Sequence, residues 1–251
     1  MPQLVISVRS ADEVLLADQA GVDVLDIKEP SRGSLGSADP DVIVGILNRV
    51  RRDARVSVAC GELADWRPGL WSHLPAAVEF AKIGLAGCQG LVQWPAIWDQ
   101  WRAELPTGTG AVMCCYADWQ RARAPHPEEA LCVAEQFGAE GILIDTWSKK
   151  HGALLDVAAL PRLESLVDAI RRRGFWFALA GQLDATVVPT CCRLSPSYLA
   201  FRSAVCREDR TRSLDASRVR SLVIQLQAIF DRNHDWFDEN RTDGGQIDSF
   251  R

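Results

Sequence analysis

Leu4-Val5-Ile6-Ser7-Val8-Arg9-Ser10 is a short apolar run that breaks into a polar turn. The run has the length and the β-branched content of a buried strand. In an open, doubly wound sheet the first strand usually leads into a Gly-x-Gly-x-x-Gly phosphate turn. Val8-Arg9-Ser10 holds no glycine. The turn therefore argues against an open nucleotide-binding sheet and for the other architecture of alternating strands and helices, a closed barrel.

Seven further strand-like runs follow, at 22–28, 55–60, 79–85, 110–116, 141–145, 175–180 and 198–202. Helical patterns lie between them, at 11–20, 40–52, 127–137, 156–173 and 215–232. Gly21, Gly138 and Gly174 each stand between a helix and a strand, where a left-handed cap suits glycine. Eight strands alternating with helices predict a single-domain (β/α)8 TIM barrel over residues 1–231. Residues 232–251 are polar and rich in turn formers such as Asp243-Gly244-Gly245, and read as a tail.

A length of 251 residues suits one large domain, and 47% hydrophobic with 24% charged residues is ordinary for a soluble enzyme. The net charge of −5 argues against nucleic acid or an acidic membrane as partner. The first residues lack a basic leader pattern and no run approaches a membrane span, so a cytoplasmic protein is expected. The eight cysteines form no Cys-x-x-Cys, and the four histidines show no ligand spacing, so buried reduced thiols and no metal are expected. Trp94, Trp98 and Trp101 share one helical face. Core packing is the favoured reading of that face; a subunit interface in a homo-oligomer is the alternative.

Lysine is scarce. Of 28 basic residues only Lys28, Lys82, Lys149 and Lys150 are lysines. A lysine amine can lose its proton and attack a carbonyl, which a guanidinium cannot. In a barrel the C-terminal strand ends converge on one mouth where catalysis occurs. Period-two alternation in Val24-Leu25-Asp26-Ile27-Lys28 turns Asp26 and Lys28 to the interior, either as a plain buried pair or as a reactive amine beside a carboxylate. Lys82 lies inside the fourth run. Asp145 ends the sixth, and Lys149, four residues on, can fold back to it. Such a group of cations suits phosphorylated substrates; Lys150 reads as a solvated neighbour. After the seventh and eighth runs, Gly181-Gln182 and Arg202-Ser203 are candidate phosphate-binding residues, with Arg202 suited to bidentate contact.

Asp26-Ile27-Lys28-Glu29-Pro30, followed by Gly33-Ser34-Leu35-Gly36, resembles the signature of the (5-formylfuran-3-yl)methyl phosphate synthase family of methanofuran biosynthesis. Lys82-Ile83-Gly84-Leu85, Tyr116-Ala117-Asp118, Asp145-Thr146 with Lys149 and Gly152, Ala180-Gly181, and Arg202 through Asp209-Arg210 extend the resemblance over most of the chain. It implies a TIM barrel without metal or organic cofactor that condenses two glyceraldehyde 3-phosphate molecules, with loss of one phosphate and water. It further implies Lys28 as the Schiff-base lysine, Lys82, Asp145 and Lys149 as other active-site residues, and Asp26 as a neighbour tuning the charge. The chain departs from the family at Gln182, around Arg202 and at Glu208, which bears on the phosphate loops. A class I aldolase for another phosphorylated aldehyde or ketose, and a non-catalytic phosphometabolite-binding barrel, are the alternatives.

Overall fold

The computed structural model describes residues 1–51 and 53–241, the last ten as helix backbone. Eight parallel strands close on themselves: β1 (Gln3–Val8), β2 (Val24–Ile27), β3 (Arg55–Glu62), β4 (Phe80–Gly84), β5 (Gly110–Tyr116), β6 (Gly141–Asp145), β7 (Trp176–Leu179) and β8 (Tyr198–Phe201). They pair in chain order, and β8 returns to β1. The helices around them are α1 (Ala11–Asp18), α2 (Pro40–Leu47), α3 (Trp94–Glu104), α4 (Trp119–Ala122), α5 (Pro127–Gln136), α6 (Leu154–Val157), α7 (Leu160–Arg172), α8 (Val188–Arg193) and α9 (Ala216–Arg241). The (β/α)8 barrel is thus the observed fold. Strands read as near-continuous apolar runs because helices cover one face and the barrel interior the other. Closure leaves no unpaired edge among the described strands.

Three stretches bear on the sequence reading: two agree with it, and the C-terminal helix outruns it. Between β3 and β4 the chain makes only a 3-10 turn at Leu63–Asp65. Pro68, Gly69 and Pro75 interrupt any helix there. The α9 helix runs on to Arg241, into the stretch expected to be a tail. Residues 232–241 contain no glycine or proline to stop it, and Asp243-Gly244-Gly245 lies outside the described residues. Trp94, Trp98 and Trp101 are buried, with the last two rings 6.0 Å apart, so this face packs inward and offers no subunit surface.

Register sets the interior in tiers. Ser7, Asp26 and Ser57 are side-by-side partners on β1, β2 and β3, which makes a polar row near the mouth. The opposite end is floored by Phe80, Trp176 and Tyr198, whose ring centroids lie 5.0 to 6.1 Å apart in edge contacts. Arg55 lies 5.5 Å over two of these rings and is held by Glu79 at 2.7 Å. Gly141, the register partner of Trp176, leaves room for the indole, because a Cβ there would come within 2.3 Å of the ring. Gly141→Ala should therefore displace Trp176 and destabilise the barrel by about 1–3 kcal/mol, read as a lower urea midpoint.

Candidate active site

Four of the charged residues singled out above enter the mouth from three strands. Lys28 follows β2, Asp26 lies within it, Lys82 lies in β4 and Asp145 ends β6. Lys149 arrives from the loop after β6. All but Lys149 are buried.

Asp26 accepts hydrogen bonds from Ser7 Oγ at 2.9 Å, from Ser57 Oγ at 3.0 Å and from Lys82 Nζ. Burial alone would raise its pKa, but the nearby Lys82 and Lys28 charges and these donors carry it below the ordinary carboxylate value. Lys82 also donates to Ser57 at 2.9 Å. The close partner of Asp26 is thus Lys82 from across the sheet, not Lys28 two residues away.

Asp145 is held in the same way. It accepts from the Thr146 N–H at 2.7 Å, from Lys149 Nζ at 2.6 Å and from Ser34 Oγ at 2.8 Å. Burial again opposes ionisation, and Lys149 and Lys28 again overcome it, so its pKa is lowered. Lys149 makes two further contacts, to the carbonyl and the hydroxyl of Thr146. The loop that carries it is fixed by Asp118, whose carboxylate takes the Trp147 and Ser148 N–H groups at 2.7 and 3.0 Å.

Lys28 differs from both other lysines. Among the described residues its amine has no hydrogen-bond or ion-pair partner, while each neighbouring carboxylate holds three other donors. Burial lowers its pKa to about 8; attraction to Asp26 and Asp145 resists this, and repulsion from Lys149 and Arg210 adds to it. The arrangement therefore presents two fixed anions, two tethered ammonium groups and one free amine that is partly neutral near pH 7.

A small cavity with cationic walls suited to an anion opens beside that amine, where Lys28, Lys149, Gly181, Gln182, Ser203 and Arg210 meet. Gly181 adopts φ 104° with Thr146 packed against it, a position that excludes a side chain. The Gln182 amide donates to the Gly152 carbonyl at 2.9 Å, tying the loop after β7 to the loop after β6.

Arg202 borders the same cavity, but its expected phosphate contact is corrected by its bonding. Its five N–H groups go to Glu13 (2.5 and 3.2 Å) and to the carbonyls of Ser7 (2.9 Å), Arg210 (2.9 Å) and Arg212 (2.7 Å). A guanidinium has five donors, so none remains for an anion. Arg210 is the guanidinium available instead. Two of its N–H groups hold the Pro30 and Gly33 carbonyls at 2.8 and 2.9 Å, and the other three are unbonded among the described residues. Lys150 is exposed.

Glu62 is a residue that the sequence reading passed over. It reaches over Gly84, where a Cβ would collide with it, and accepts from Tyr116 Oη at 2.5 Å and from the Ala86 N–H at 2.9 Å. Burial raises its pKa to about 7 from 4.5. A carboxyl that holds its proton more tightly when folded stabilises the fold most below pH 4.5, and that contribution is lost as pH rises toward 7. Glu62→Gln should flatten the pH dependence of unfolding free energy in this window by about 2 kcal/mol, as measured by urea titration at successive pH values.

Comparison with known proteins bears on this geometry. Residues 4–223 match the family described as 4-HFC-P synthase. The chain belongs to that family. A Methylorubrum extorquens protein provisionally named (5-formylfuran-3-yl)methyl phosphate synthase is 31% identical over 236 residues, covering 90% of this chain and 92% of its own. The synthase of that name from Archaeoglobus fulgidus is 29% identical, over 89% of this chain and 97% of its own. Among solved structures, phosphoribosyl anthranilate isomerase from Thermus thermophilus superposes with a TM-score of 0.63 at 16% identity, covering 90% of this chain and 99% of that one. That likeness concerns the fold alone. Membership of the 4-HFC-P synthase family makes the chain an enzyme, and the lysine-lined mouth is its candidate active site. Among the described residues of this family member no helix is long and apolar enough to cross a membrane, and no group of His, Cys, Asp and Glu is placed to hold a metal ion.

Proposed function

We propose that the protein is a (5-formylfuran-3-yl)methyl phosphate synthase that condenses two molecules of glyceraldehyde 3-phosphate through an imine at Lys28. The unpartnered Lys28 amine carries this reading. Its lone pair adds to the aldehyde carbon of one triose and water leaves, giving an iminium that acts as an electron sink. Loss of the proton at the adjacent carbon then gives an enamine that can attack the second aldehyde. The condensation loses one phosphate and two waters overall, which balances the furan aldehyde phosphate as product. Asp26 and Asp145, held as anions, stabilise the iminium, while Lys149 and Arg210 supply charge for a phosphate dianion.

Borohydride reduction in the presence of glyceraldehyde 3-phosphate should leave the triose adduct on the peptide containing Lys28, with none on those of Lys82 or Lys149. A furan chromophore should appear in the absence of borohydride. An adduct confined to another lysine would overturn the assignment of the nucleophile. An adduct at Lys28 without a furan chromophore would indicate a class I aldolase acting on another phosphorylated aldehyde or ketose.

A further inference from the structure

Beneath Lys28 the barrel does not fill its interior as such barrels usually do with branched side chains. Above the Trp176 and Tyr198 floor, the inward positions on β7, just after it and on β8 are Ala178, Ala180 and Ala200, and a narrow cavity runs from Leu35 at the mouth down to that floor. Below the charged tier its walls are apolar. Apart from the Lys28 amine at its top, the side-chain groups that border it are engaged, Ser57 with Asp26 and Lys82, and Tyr198 Oη with Arg55 at 2.9 Å. The cavity shares Lys28, Asp145, Ala180 and Ala200 with the anion cavity above. One ligand can therefore extend from one into the other.

We infer that the lower cavity is a compartment for a flat apolar ring whose phosphate lies in the anion cavity, so that the site fits the dehydrated end of the reaction better than the hydroxylated triose. The inference rests on the function proposed above and adds which species the site favours. A triose lying in the lower compartment would leave its hydroxyls without partners, at a cost of about 1–3 kcal/mol for each buried hydroxyl. A furan ring strands no donor there, and its apolar area leaves water.

Furan-3-ylmethyl phosphate, which has no aldehyde and so forms no imine, serves as the probe. Glycerol 3-phosphate and inorganic phosphate are its comparators, and calorimetry is the measurement. The wild-type protein should bind the furan phosphate about tenfold or more tightly than glycerol 3-phosphate. Ala178→Leu, which fills the compartment from a position that does not line the anion cavity, should remove that margin and leave inorganic phosphate binding within about twofold. Equal wild-type affinity for the two organic phosphates would overturn the inference, as would a margin that survives Ala178→Leu. If leucine prevents folding, Ala178→Val narrows the cavity from the same position, and the wild-type comparison decides in any case. Chromophore formation from glyceraldehyde 3-phosphate by the wild type is scored separately. A ring preference without a furan product would sink the proposed reaction and keep the compartment, and the converse result would do the opposite.

Discussion

Lys28→Arg should abolish turnover, with kcat falling on the order of 10⁴-fold or more and the borohydride-trappable adduct lost. The substitution keeps a cation of similar length at the end of β2, so a merely electrostatic role would survive it. Imine formation would not, because a guanidinium stays protonated and does not add to a carbonyl. Neither carboxylate near Lys28 depends on it for a hydrogen bond, so the Asp26–Lys82 and Asp145–Lys149 contacts should persist and the unfolding midpoint should move little. The wild-type pH profile gives a second measure. With its pKa lowered to about 8, the amine loses its proton as pH rises, so kcat/KM should climb through this range and level off above it. A flat profile from pH 6 to 9, or substantial activity in Lys28→Arg, would rule the imine out.

Arg202→Ala should have the largest effect on stability, about 3–5 kcal/mol, because it leaves the Glu13 carboxylate buried without its counter-ion. Glu13 and Arg202 are each only 4% exposed at the side chain, and their pairing joins α1 to the end of β8. Glu13 also accepts the Arg9 and Leu214 N–H groups at 2.8 and 3.1 Å, so one carboxylate fastens the start of α1 to the loop after β8. Arg210→Ala is the counterpart. It should leave the urea midpoint nearly unchanged and raise KM for the triose phosphate about tenfold, since Arg210 faces the anion cavity with free donors. An Arg202→Ala protein that unfolds normally but binds phosphate poorly would reverse these two assignments.

The division of labour between the two arginines was the part least legible in the sequence. Arg202 follows a strand and Arg210 follows a loop, and strand ends are where barrels keep their chemistry, so position favoured Arg202. Its saturation depends on Glu13 from the far end of the chain and on three carbonyls, and backbone carbonyls leave no trace in residue identity. The barrel itself was legible because eight apolar runs, each too short for a helix, recur with helical patterns between most of them. The inward direction of Asp26 and Lys28 was legible from period-two alternation. That Asp26 bonds Lys82 was not, because partner choice depends on the register between β2, β3 and β4. Glu62 went unnoticed because it stands in no motif. Its one local signal is the polar Gly61-Glu62 end of an apolar strand, and its meeting with Tyr116 depends on the register of β3 with β4 and on the space left by Gly84 between them.

Asp118 has a consequence for how the enzyme meets its substrate. By holding two consecutive N–H groups of the loop after β6, it sets Lys149 in place before any ligand arrives. The conformational entropy of ordering that loop is therefore lost during folding, and binding need not supply it again. An anionic ligand meets a cationic cradle that is already shaped, so its affinity need not be spent on assembling the cradle.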